Sequence, residues 1–71
     1  MKITHMSTLK DVLDNPVGYD IAQMVVYRNN LSNDIFENPL FREKTIAELL
    51  GDKLSASEME QIIKKLSQEM L

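Results

Sequence analysis

Apolar positions recur along this chain at helical spacing, and two of the recurrences open with the same phrase. Thr8-Leu9-Lys10-Asp11-Val12-Leu13 returns as Thr45-Ile46-Ala47-Glu48-Leu49-Leu50. In each copy a Thr hydroxyl can accept the backbone N–H three residues on, while the acidic side chain at that position reaches back. Two of the donors that a helix start leaves orphaned are then satisfied. Ser55-Ala56-Ser57-Glu58 offers a third such box, with Ser55 or Ser57 as the cap.

Between these starts the breakers divide the chain. The first helix stops near Asp14, because Asn15-Pro16 disfavours helical geometry at Asn15 yet lets Pro16 open the next helix. That second helix is expected from Pro16 to Arg28 or Asn29. Val17, Ile21, Met24 and Val25 form one apolar face, Ala22, Val26 and Tyr19 cover much of the rest, and only Asp20 and Gln23 are clearly polar. Such a helix should lie at the centre, with neighbours on most sides. Gly18 within it costs about 1 kcal/mol against Ala and suits a close helix approach. Asn29-Asn30-Leu31-Ser32-Asn33 should end the helix in a loop, with a short turn at 34–37. A second Asn-Pro, Asn38-Pro39, leads to the helix at Thr45, and Gly51 is the residue expected just past its end. In the last helix Met59, Ile62, Ile63, Leu66 and Met70 make a narrow apolar stripe, with Glu60, Gln61, Lys64, Lys65 and Gln68 toward water. No strand pattern competes, so the fold class is all-α: a compact bundle of four to five short helices around a central helix.

At 71 residues the chain is one domain, near the size at which one core only just offsets conformational entropy. Residues 1–5, ahead of a second Met at Met6, read as a disordered leader, native or left by cloning, and 6–71 as the helical domain. With no Cys, neither a disulfide nor a thiolate metal site supports the core, and a cytoplasmic location fits best. The net charge is −3, and neither half is basic, so nucleic acid is not an expected partner. No apolar run approaches the ~20 residues that span a bilayer, so no membrane association is expected.

Catalytic patterns are missing. The only His is His5, in the leader, and no Gly-x-Ser-x-Gly elbow surrounds any Ser. Asp11, Asp14, Glu48, Glu58 and Glu60 fall at helix starts or on polar faces, where the helix dipole accounts for them. Residues 29–34 lack the Gly and the acidic alternation of a calcium loop, and no Gly-rich loop ends in Lys-Ser/Thr. No enzyme activity, cofactor or metal is therefore expected. Size, acidity and helicity suggest an acyl carrier protein, but the Asp-Ser-Leu attachment phrase is missing; Gly51-Asp52-Lys53-Leu54-Ser55 only mimics its composition.

The aromatic residues bear on binding. Tyr19 reads as core, whereas Phe36 and Phe41 flank Asn38-Pro39 in a segment of weak helical signal, where an exposed patch can dock a partner. Tyr27, Phe36 and Phe41 are the candidate partner contacts. The five Met residues suit either an adaptable surface or a gap-filling core, and helical spacing assigns Met24 and Met59 to the core.

The run Thr8-Leu9-Lys10-Asp11-Val12-Leu13-Asp14-Asn15-Pro16, an Ile-containing helix, Asn38-Pro39-Leu40, then Thr45-Ile46-Ala47-Glu48-Leu49-Leu50 and a closing helix resembles a small helical domain. That domain stands at the C-terminal end of some bacterial glycoside hydrolases, notably beta-glucosidase-like enzymes, and of some esterases. The likeness covers nearly the whole chain after Met6. It departs after the central helix, where the family often carries a Pro-Gly pair and this chain has Asn30-Leu31-Ser32. The resemblance implies a non-catalytic appendage packed on its own enzyme domain or on another subunit. Two alternatives remain open: a standalone helical protein that binds an apolar ligand, or a self-associating unit.

Overall fold

A computed structural model describes residues 2–70 of the chain. Five α-helices form: α1 (Leu9–Leu13), α2 (Pro16–Arg28), α3 (Asp34–Glu37), α4 (Ile46–Leu50) and α5 (Ala56–Glu69), with a 3-10 turn at Pro39–Phe41 between α3 and α4. No strand forms among the described residues. They make an all-α globule of 25 × 25 × 20 Å, and none of their helices is long and apolar enough to cross a membrane.

All three expected capping boxes are present. Thr8 accepts the Asp11 N–H at 3.2 Å, Thr45 that of Glu48 at 3.1 Å and Ser55 that of Glu58 at 3.2 Å, and each acidic side chain bonds back to the cap N–H. The two Thr phrases also meet each other in an antiparallel bridge between Thr8 and Thr45. Leu9 N–H donates to Lys44 C=O at 2.9 Å, and Ile46 N–H to Ser7 C=O at 2.9 Å. One residue further on, Lys10 N–H donates to Arg42 C=O at 2.9 Å, and Ala47 N–H to His5 C=O at 3.0 Å. The pairing is locally two-fold, and each helix start fills the donors that the other leaves open.

The core joins both chain ends. Ile3, Val12, Ile21, Ile46, Leu50, Leu54, Met59, Leu66 and Met70 form one buried cluster. Ile3 is held there by Ser67 of α5, whose hydroxyl accepts Ile3 N–H and donates to Ile3 C=O, both at 2.9 Å. The leader expected to be disordered thus contributes a core residue over its described part, 2–5, because an aliphatic side chain and two backbone bonds anchor it. Met1 lies outside the described residues.

Gly18 carries a close approach: a Cβ built there would stand 2.3 Å from Val12 C=O and 3.0 Å from Met70 Sδ. Gly51 does not take the left-handed form expected of a residue past a helix end, since its φ is −60°. Asn30, at φ 55°, is the residue that turns left-handed, directly after α2. At α5 the expected stripe is in place, with Met59, Leu66 and Met70 buried and Ile62 and Ile63 half-buried against the core.

Candidate interaction face

α2 packs against α1 and α5 through Gly18, Ile21 and Val26, with Ala22 and Val25 partly buried. Its other side is only partly covered among the described residues, with Phe36 packed on Tyr19. Val17 is 40% exposed, Tyr19 38%, Met24 43% and Tyr27 88%. The helix expected to be enclosed on most sides is therefore open along one flank, and the assignment of Val17, Tyr19 and Met24 to the core is corrected. Periodicity failed there because a helix that is apolar nearly all round has no polar face to point outward.

At about 100° per residue, Val17, Asp20, Met24, Tyr27 and Arg28 share one arc of the helix surface. Asp20 and Arg28 are its charged members. The ion pairs among the described residues lie elsewhere: Lys10–Asp14 at 2.8 Å, Arg42–Asp14, and Lys65–Glu69 at 2.7 Å. α5 presents the opposite kind of outer surface, with Glu60, Gln61, Lys64, Lys65, Gln68 and Glu69 all exposed.

The structure brings together two of the three candidate contacts. Tyr27 and Phe36 border one groove with Gln23, Asn30 and Asn33, a lining without a charged side chain. Phe36 is half-buried there because its ring packs on Tyr19, with centroids 5.4 Å apart and planes tilted by 49°. Phe41, in the 3-10 turn, borders a different groove beside Leu31, Ile35, Lys44 and Leu49. Sequence reasoning missed Leu40, 77% exposed, and the open positions of Val17 and Met24. The scarcity of charge on α2 was the available signal for the latter two.

A small apolar cavity of about 40 Å³ lies between α2, α4 and α5, lined by aliphatic side chains that include Ala22, Val25, Leu49, Ile62 and Leu66. Among the described residues no group of three or more His, Asp or Glu side chains is placed to hold a metal ion. The perturbed carboxylates are structural. The Lys10 ammonium, then the Arg42 guanidinium, hold Asp14 below its ordinary value. Glu48 and Glu58 are lowered first by the backbone N–H of Thr45 and of Ser55, the bonds that close their capping boxes. Comparison with known protein families, curated proteins and solved structures gives no match.

Proposed function

We propose that this chain is a non-catalytic accessory module that docks on a protein surface through the outward flank of α2. The observation that carries the reading is the contrast between two helices of similar length. α5 turns charged and amide side chains to water, whereas α2 turns out Val17, Tyr19, Met24 and Tyr27 among its exposed Asp20, Gln23 and Arg28. Burying such a flank removes apolar surface from water at roughly 25 cal/mol per Å², while an exposed patch of this kind gains nothing for the isolated fold. The resemblance to the C-terminal helical domain of bacterial glycoside hydrolases and esterases points the same way, toward an appendage that packs on its own enzyme domain or on another subunit. The apolar-ligand alternative is less favoured: the cavity lined by aliphatic side chains alone holds about 40 Å³, far below the roughly 300–1,000 Å³ of small-molecule sites, and the wider grooves at Phe36 and Phe41 are lined in part by polar or charged side chains.

A photoreactive residue placed at Met24 or Tyr27, in the organism that makes the protein, is expected to form covalent protein adducts. The same residue at Gln68, on the outer face of α5, is expected to form none. Adducts from Gln68 alone would overturn the reading. So would glycoside or ester turnover that co-purifies with the chain and is lost when a single Ser, Asp or Glu is replaced.

A further inference from the structure

The outward arc of α2 carries one exposed charge of each sign, Asp20 and Arg28. Asp20 and Arg28 stand four residues to either side of Met24, about 6 Å along the axis in each direction. At about 12 Å apart along one helix they cannot pair with each other, and neither takes part in the ion pairs formed among the described residues. We infer that the occupant of this face is a second copy of the chain, with the two α2 helices antiparallel about a two-fold axis near Met24. This inference rests on the docking reading and names its partner.

In such a pair the residue n positions before Met24 faces the residue n positions after it. Asp20 meets Arg28 of the second copy, and the symmetry makes the contact twice. A parallel pair would set Asp20 against Asp20 and Arg28 against Arg28, so the charges select the antiparallel arrangement as well as the partner. On the α5 side Arg28 borders a groove with Glu58 and Lys65, and forms an ion pair with no residue among those described. A face one 13-residue helix long belongs at the small end of specific interfaces, below roughly 1,200 Å² in total, so the dimer is weak and concentration-dependent.

Sedimentation of the full chain from about 10 μM to about 1 mM is expected to pass from monomer to dimer. Asp20→Arg or Arg28→Asp alone places like charges in both contacts and is expected to weaken association by about tenfold or more. Asp20→Arg combined with Arg28→Asp restores opposite charges and is expected to recover it. All the substituted side chains are exposed, and circular dichroism checks that each variant keeps its helices. A chain that stays monomeric throughout, single variants that dimerise like the parent, or a double variant that fails to recover would each overturn the inference. The mass of the Tyr27 photo-adduct separates this failure from that of the docking reading. Twice the chain mass supports the second copy, whereas an adduct with a different protein only would overturn it and leave α2 as the docking flank.

Discussion

Gly18 concentrates the packing of this domain in a missing atom. In the interior of an isolated helix, Gly→Ala gains about 1 kcal/mol, since Ala loses less backbone freedom on folding. Here the Cβ would stand 2.3 Å from Val12 C=O, a backbone atom that moves only if α1 moves. Overpacking of that kind costs about 1–3 kcal/mol, and it outweighs the propensity gain. Gly18→Ala is therefore expected to lower the urea midpoint. A midpoint that rose would mean α1 and α2 are further apart than described.

At the scale of the element, the Thr phrases work as a pair. Each cap closes its own helix start, and each approach segment offers carbonyls to the other's first N–H groups. Replacing Thr8 or Thr45 by Ala should cost about 0.5–2 kcal/mol by leaving a donor unpaired. The capping carboxylates add a pH dependence whose sign follows from their lowered values. Glu48 and Glu58 hold their protons less readily in the fold than their ordinary value of 4.5. Their contribution is present above that value and is lost as pH falls through the lower folded value. Gln at the same position keeps the box bond without titrating. Glu48→Gln with Glu58→Gln is thus expected to flatten the loss of stability in urea titrations between about pH 5 and about pH 2; an unchanged slope would assign the acid sensitivity elsewhere.

For the whole molecule, the closing contact is the meeting of its two ends. Ile3 sits in the same cluster as Leu66 and Met70, and Ser67 binds both backbone groups of Ile3. A domain of 71 residues has a total stability of about 4–10 kcal/mol. Ile3→Ala and Leu66→Ala should each cost about 2–5 kcal/mol, enough to populate the unfolded state visibly. Equilibrium denaturation checks the ranking: both should exceed the Thr→Ala changes. An Ile3→Ala variant as stable as the parent would return residues 2–5 to the role of a leader.

The sequence alone determined the helix starts. Thr8, Asn15-Pro16, Thr45 and the Ser55/Ser57 pair each act within three or four residues, so no distant contact is needed to read them, and the structure then selects Ser55 as the cap. The stripe of α5 was legible for a related reason: with one apolar face, a helix has one way to turn. Of the candidate site, Tyr27 and Phe36 could be named one by one, but not as neighbours, and Phe41 went elsewhere. Only the tertiary structure decided which flank of α2 stays open, because a pattern that is apolar nearly all round fits several packings. It also decided that Ile3 is core, that Val12 C=O lies against Gly18, and that the two Thr phrases pair. The Ile3 and Thr contacts join segments far apart along the chain, and the Val12–Gly18 approach depends on the angle at which α1 turns into α2; such contacts follow from how the helices fill space together, which no local pattern encodes.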